Sequence, residues 1–173
     1  MQYLAASFLL TGILHGWLII SQWGNNPSTL SYHAIKTKTS LRIYTLTHLA
    51  TATLLWLFMN QIFGGNNWSW LVLLITAVAA VAECLQALIP SKGKGDVAHT
   101  VFAVIMAFSM WLLGLICTIL FAPSLLIFWI SAVASVCVGS FFFTVRYPPK
   151  PGLWRLQYLG QFILYLQMFL LVY

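Results

Sequence analysis

The chain has 173 residues, of which 61% are hydrophobic and only 6% are charged, and its mean hydropathy is +0.92. This composition argues against an ordinary water-soluble domain and is typical of a protein surrounded mostly by lipid. The formal net charge is +6. Because the basic residues are spread over short segments and are not gathered into a groove with interleaved aromatic residues, the charge does not indicate nucleic-acid binding, and anionic lipid headgroups are the expected partner.

Six segments are apolar over the roughly 20 residues that a helix needs to cross a bilayer. In chain order they cover residues 3–23, 43–63, 68–89, 97–121, 124–145 and 156–173. No segment alternates between apolar and polar residues as a barrel strand does. The sequence therefore predicts an all-α fold, a polytopic transmembrane helical bundle that forms a single domain over residues 1–173.

All eight lysine and arginine residues fall in three of the five connections between these spans. They are Lys36, Lys38 and Arg42 after the first span, Lys92 and Lys94 after the third, and Arg146, Lys150 and Arg155 after the fifth. The positive-inside rule then predicts that these connections face the cytoplasm and that both termini lie outside. The last five of these residues are the candidates for contact with lipid headgroups or with a partner.

The first two spans each carry a histidine within the apolar stretch. At about 1.5 Å per residue, His15 lies about 12 Å from the inner end of the first span, and His48 lies about 7.5 Å into the second. The first span also has Gly12 and Gly16 in a GxxxG pattern, which allows another helix to approach closely.

The third span carries Glu83, the one acid within an apolar span, about 9 Å from its inner end. A carboxylate at that depth pairs with a cation, is protonated or lines a wet cavity, because an unpaired charge is strongly disfavoured there. One interpretation is a structural pair with His15, His48 or a loop lysine. A second is a catalytic, metal-binding or proton-handling role, and a third is contact with a partner.

Asp96 and His99 stand at positions i and i+3 where the fourth span begins. An aspartate in this place is typical of a helix N-cap, whose carboxylate accepts hydrogen bonds from the amides of the first turn. Alternatively, Asp96 orients His99 for metal binding or acid–base chemistry. The catalytic candidates are Glu83, Asp96 and His99, and the metal candidates are His15, His48, His99 and Asp96. All of them lie in the cytoplasmic half of the predicted bundle, so we expect a site to open inward.

The fifth span has Ser131, Ser135 and Gly139 at i, i+4 and i+8, a stripe of small residues that lets helices pack closely, either within the chain or in a homo-oligomer. The spacing of the histidines is not diagnostic of a cofactor. We therefore predict no cofactor, with a metal ion or haem held by histidines of separate helices as the alternative.

Three short motifs carry a family likeness: Ala87-Leu88-Ile89-Pro90 at the end of the third span, the Gly-rich connection from there to His99, and Leu156-Gln157 at the start of the last span. With the six-span plan, they make the chain resemble the DUF998 family of small prokaryotic membrane proteins. That family often has an arginine after the glutamine, where this chain has Tyr158. The resemblance implies the cytoplasmic (inner) membrane of a prokaryote and directs attention to residues 90–99, but it implies no activity.

The favoured function is that of a noncatalytic subunit or binding protein for a lipid, an apolar ligand or a partner membrane protein. The alternatives are an intramembrane metal-dependent hydrolase that acts on a lipid, and a haem-binding electron carrier or small transporter. No nucleophile is identifiable by motif. A channel would need a polar stripe along the whole length of one span, and none of the six spans shows one.

Overall fold

The structure is a computed structural model, and it describes residues 2–21, 31, 34–65, 67, 69–89, 96–144 and 153–172. These residues form six helices and no strand. The helices are α1 (Gln2–Ser21), α2 (Lys38–Phe63), α3 (Ser69–Leu88), α4 (Val97–Phe121), α5 (Leu125–Thr144) and α6 (Leu153–Val172). The predicted all-α class is therefore confirmed for the part of the chain that the structure describes.

The helices follow the predicted spans closely, and α4 has the predicted bounds. The largest difference is at α2, which begins at Lys38 and not at Ile43. Thr37 explains the earlier start, because its side chain accepts a 3.0 Å hydrogen bond from the backbone amide of Ser40 and so caps the helix. The cap allows α2 to begin before the apolar stretch, so the helix includes Lys38 and Arg42.

Consecutive helices pack against one another, and the chain returns on itself because α6 contacts both α4 and α1. α2 and α3 run in opposite directions, so the first turns of α2 lie beside the last turns of α3 and the start of α4. Hydrogen bonds mark this end, such as the one from Thr45 Oγ1 to the Ala87 carbonyl oxygen at 3.0 Å. We call it the basic end, because Lys36, Lys38 and Arg42 lie there.

The main apolar core lies towards the opposite end of the bundle. Its buried members come from α2, α3, α4 and α6, and they include Phe58, Met59, Val72, Leu113 and Met168. A smaller apolar cluster near the basic end includes Leu14, Ala34, Tyr44 and Ala87. Between them the interior is unusually polar, and this polar interior contains the candidate site.

Within the part of the chain that the structure describes, two helices are long and apolar enough to cross a membrane, over residues Trp70–Leu88 and Val97–Phe121. Shorter apolar runs occupy Ala5–Leu14, Leu125–Ser140 and Leu159–Leu171 within the described residues. α2 falls short because threonines, a histidine and an asparagine interrupt its apolar side chains. Helix length and composition thus identify two possible spans, and the six-span bundle stays a prediction.

The small residues of α1 and those of α5 differ in how closely other side chains approach them. A Cβ atom placed on Gly12 would meet nothing within 4 Å, so no described part of the chain approaches α1 closely at this position, and close approach of a second copy there stays a prediction. A Cβ atom on Gly139 would lie 3.1 Å from Trp111 Nε1. That indole donates a 2.7 Å hydrogen bond to the Ser135 carbonyl oxygen. The stripe on α5 therefore receives a large side chain of α4.

Candidate functional site

His48 of α2 and Glu83 of α3 meet near the basic end. His48 Nδ1 lies 2.9 Å from Glu83 Oε1, and the two side chains are only 7% and 12% exposed. An unpaired carboxylate would be strongly disfavoured at this burial, and the imidazole offsets that cost. Of the partners that the sequence offered for Glu83, His48 is the one that the structure shows.

Thr51 adds a second bond to the same carboxylate oxygen. Its Oγ1 atom donates to Glu83 Oε1 at 2.6 Å and also lies 3.1 Å from the His48 carbonyl oxygen. Thr51 follows His48 by three residues, a spacing that puts both side chains on one face of α2. Sequence reasoning missed this residue, although a threonine one turn after a buried histidine was the available signal.

Tyr44 and Gln86 continue the cluster by one helical turn towards the basic end. The Tyr44 ring lies edge-on to the His48 imidazole, with ring centroids 4.3 Å apart. The Tyr44 hydroxyl accepts a 2.9 Å hydrogen bond from Gln86 Nε2, and both side chains are buried. Because Gln86 follows Glu83 at i+3, α2 and α3 are joined by two successive polar contacts on facing surfaces.

His99 connects the start of α4 to the end of α3. Its Nδ1 atom lies 2.6 Å from the Ile89 carbonyl oxygen and 3.1 Å from that of Gln86. A carbonyl oxygen only accepts, so Nδ1 carries a hydrogen, and a neutral imidazole then has its lone pair on Nε2. His99 thus satisfies carbonyl groups that the last turn of a helix otherwise leaves without partners.

Asp96 forms the predicted N-cap of α4. Its Oδ1 atom accepts a 3.1 Å hydrogen bond from the backbone amide of His99. The bond between these two residues therefore runs through the main chain, and the carbonyl groups of α3 orient the imidazole. The described contacts of the His99 ring are with carbonyl oxygens, and the hypothesis that the Asp96 carboxylate orients this ring stays a prediction.

Within His48, Glu83 and His99, three side-chain polar atoms make no hydrogen bond to a described residue. They are His48 Nε2, Glu83 Oε2 and His99 Nε2. An imidazole nitrogen can donate or accept, and a carboxylate oxygen accepts. The cluster therefore has the capacity to bind a small polar group that both donates and accepts hydrogen bonds.

Some of the sequence candidates cannot be placed in this cluster. His15 lies on α1, but its side chain is outside the described part of the structure. Lys92, Lys94, Arg146 and Lys150 lie outside the described residues, as do residues 90–95. Arg155 lies in the first turn of α6, and its side chain is likewise not described. Their roles as metal or headgroup ligands stay predictions.

The metal candidates His48 and His99 each use Nδ1 for a partner on α3. Among the side chains that the structure describes, no three of the types His, Cys, Asp and Glu are grouped so that they could hold a metal ion. The proposals of a metal ion or haem in the sequence analysis stay predictions.

A second polar cluster surrounds Gln167, in the half of the bundle where the sequence suggested no candidate. Gln167 is 1% exposed, and its side-chain amide lies among residues of α4 and α5, Thr118 and Ser135 included. Sequence reasoning missed it because a neutral glutamine in an apolar span has no distinctive spacing. The available signal was the serine stripe on α5, which we interpreted as packing alone.

Comparisons of the chain with protein-family models, with curated proteins and with solved structures find no match. The resemblance to the DUF998 family accordingly stays a prediction.

Proposed function

We propose that the protein is a polytopic membrane protein whose six helices all span the bilayer, and that it binds a membrane lipid without catalysis at the His48–Glu83 cluster. The observation that carries the membrane assignment is the inverted distribution of side chains. Leu125 and Val136 are 74% and 71% exposed, whereas Ser131 is fully buried and His48 is 5% exposed. Exposed apolar area costs about 25 cal/mol per Å² in water, but it is the expected surface in lipid.

The two longest apolar helices support the same assignment. Only 33% of the apolar stretch of α3 and 28% of that of α4 is buried inside the bundle. A core helix of a soluble protein is apolar because its neighbours cover it, and these two helices are mostly uncovered. Large exposed apolar surface on helices of this length fits contact with lipid chains.

The lipid-binding assignment rests on the buried His48–Glu83 pair. Ionisable side chains within a membrane are costly and commonly mark functional sites. The two side chains are only 7% and 12% exposed, so the proposed ligand is a small polar group of a lipid and not the surface of a partner protein. His48 Nε2 and Glu83 Oε2 would bind a hydroxyl or amino group. The imidazole nitrogen donates or accepts a hydrogen bond, and the carboxylate oxygen accepts one.

The DUF998 resemblance and the basic end support a place in the cytoplasmic membrane of a prokaryote. Lys36, Lys38 and Arg42 would face the cytoplasm and meet anionic headgroups. The hydrolase, the haem-binding electron carrier and the small transporter stay predictions, and no contact among the described residues favours one of them over lipid binding.

Labelling of single cysteines tests the six-span arrangement. In a variant without the three native cysteines, we expect Asn67→Cys to react with a membrane-impermeant maleimide on intact cells, and Thr39→Cys to react only after permeabilisation. Both positions are exposed. If only α3 and α4 crossed the membrane, residues 39 and 67 would lie on the same side and would react alike, which would overturn the six-span proposal.

Native mass spectrometry tests lipid binding. The protein is purified in mild detergent and mixed with equal amounts of phosphatidylethanolamine and phosphatidylglycerol. We expect wild type to keep a bound lipid and Glu83→Gln to lose at least about tenfold in occupancy, which corresponds to about 1.4 kcal/mol. Thr76→Val is the matched control on α3, because the buried Thr76 hydroxyl donates only to the Val72 carbonyl oxygen of its own helix.

The lipid proposal fails if Glu83→Gln and wild type keep the same lipid in the same amount. Circular dichroism and gel filtration establish that each variant is folded. Should Glu83→Gln not fold, His48→Gln is the second variant, because it keeps a donor near Glu83 and changes only the ring. Equal occupancy in folded His48→Gln also contradicts the proposal.

A further inference from the structure

The Gln167 cluster joins α4, α5 and α6 through a single side-chain amide. Gln167 Nε2 lies 2.8 Å from both Thr118 Oγ1 and Ser135 Oγ, 3.0 Å from the Gly114 carbonyl oxygen and 3.3 Å from the Ser131 carbonyl oxygen. Carbonyl oxygens only accept hydrogen bonds, so the nitrogen and not the oxygen of the amide must face them. Gln167 Oε1 must therefore point away from these two carbonyl oxygens.

Two buried oxygen atoms of this cluster have no hydrogen-bond partner among the described residues. They are Gln167 Oε1 and Ser131 Oγ, in side chains that are 1% and 0% exposed. The two residues are neighbours, since the Ser131 carbonyl oxygen touches the Gln167 amide. Buried polar atoms in native proteins are nearly always paired, and an unpaired one is destabilising. Two such atoms in residues that contact each other therefore indicate a bound group between helices.

The chemistry of the two atoms selects the occupant. Gln167 Oε1 only accepts, so the occupant must carry a hydrogen that it can donate. Ser131 Oγ donates or accepts. A single O–H group satisfies both atoms, because it donates to the amide oxygen and accepts from the serine hydroxyl. A hard metal cation such as Ca²⁺ takes at least about six oxygen ligands, and this place offers two unused ones.

Gly114 keeps this place open on the side of α4. A Cβ atom on Gly114 would lie 2.8 Å from Gln167 Oε1. Any larger residue there would force the amide to move, so the glycine allows Oε1 to remain in its buried position.

We propose that Gln167 Oε1 and Ser131 Oγ bind one O–H group between α5 and α6, supplied either by a water molecule or by the hydroxyl of a membrane-soluble alcohol. The site is independent of the His48–Glu83 cluster and of the lipid proposed to bind there. It accounts for both orphan oxygens with one ligand group.

The stability of Ser131→Ala tests the proposal, because an occupied and an empty site predict opposite signs. With an O–H group bound, the substitution removes a hydrogen bond, and we expect the folding equilibrium constant in mixed micelles to fall about fivefold. With nothing bound, it removes a buried unpaired hydroxyl and leaves stability equal or higher. Ser140→Ala on the same helix is the matched control: Ser140 is exposed and bonds only to the Cys137 carbonyl oxygen, so we expect less than about a twofold change.

Nuclear magnetic resonance of the Gln167 side-chain amide distinguishes the two sources. A bound water gives a cross-peak between that amide and water that disappears in Ser131→Ala. A bound alcohol gives a cross-peak to carbon-bound protons of the ligand, and mass spectrometry of a solvent extract then finds a compound present in wild type and lost in Ser131→Ala. The proposal is overturned if wild type shows neither cross-peak, or if Ser131→Ala is as stable as wild type or more stable.

Discussion

Separation of the His48–Glu83 pair should be the most damaging single change in the interior of the protein. His48→Phe keeps an aromatic ring against Tyr44 but leaves the Glu83 carboxylate with Thr51 as its remaining described partner. Removal of one partner from a buried pair typically costs 3–5 kcal/mol, and the 12% exposure of Glu83 places this pair near the lower value, at about 3 kcal/mol. Glu83→Met should cost about 2 kcal/mol, since the Thr51 hydroxyl can then donate fully to the His48 carbonyl oxygen.

The double variant His48→Phe/Glu83→Met should cost about 3 kcal/mol, not the sum of about 5 kcal/mol, because no charge is then left alone. The coupling energy of about 2 kcal/mol exceeds the average of about 0.6 kcal/mol for hydrogen bonds between membrane helices. Titration with sodium dodecyl sulfate in mixed micelles, followed by circular dichroism, measures all four free energies of unfolding. As a control, His48→Phe and Ser140→Ala should add within about 0.5 kcal/mol. A His48–Glu83 coupling below about 0.5 kcal/mol would refute a direct interaction between the two side chains.

Two further predictions use the same titration. Gly114→Ala should lower the free energy of unfolding by about 1–3 kcal/mol, because the new methyl group meets Gln167 Oε1 at 2.8 Å. Gly12→Ala should leave the free energy of unfolding unchanged or raise it, since nothing lies within 4 Å of a Cβ atom there. Equal effects of the two substitutions would contradict the packing described around Gly114. Asp96→Ala should lower the free energy of unfolding by about 1 kcal/mol, because the cap on the His99 amide is lost. Asp96→Asn should keep most of that stability, since asparagine also caps helices. An equal loss in Asp96→Asn would show that the charge of Asp96 matters and not the cap.

The parts of the structure that the sequence predicted are those with a local cause. α4 has the predicted bounds because Asp96 caps it at one end and a proline, Pro123, closely follows its other end. The pairing of Glu83 was predictable in kind, because an acid in an apolar span needs a partner and few cations were near in depth. The choice of His48 depends on how α2 and α3 rotate against each other, and no spacing in the sequence records that rotation.

The Gln167 cluster shows what sequence patterns do not contain. Its contacts come from three helices, and two of the acceptors are main-chain carbonyl groups, Gly114 and Ser131, that any residue would supply. A neutral amide carries no charge that needs an opposite charge nearby, whereas the carboxylate of Glu83 does. The small residues at 131 and 135 were visible, but their role as neighbours of a glutamine in the last helix was not.

The order of the residues along the chain has a consequence for biosynthesis. His48 and Thr51 precede Glu83, so both partners of the carboxylate are already made when α3 leaves the ribosome. If the proposed six-span arrangement holds, the α2–α3 hairpin enters the bilayer with its acid paired. Gln167 lies on α6, so its partners on α4 and α5 are made before it. The buried acid can thus pair with its partners before the neutral amide of Gln167 meets its own.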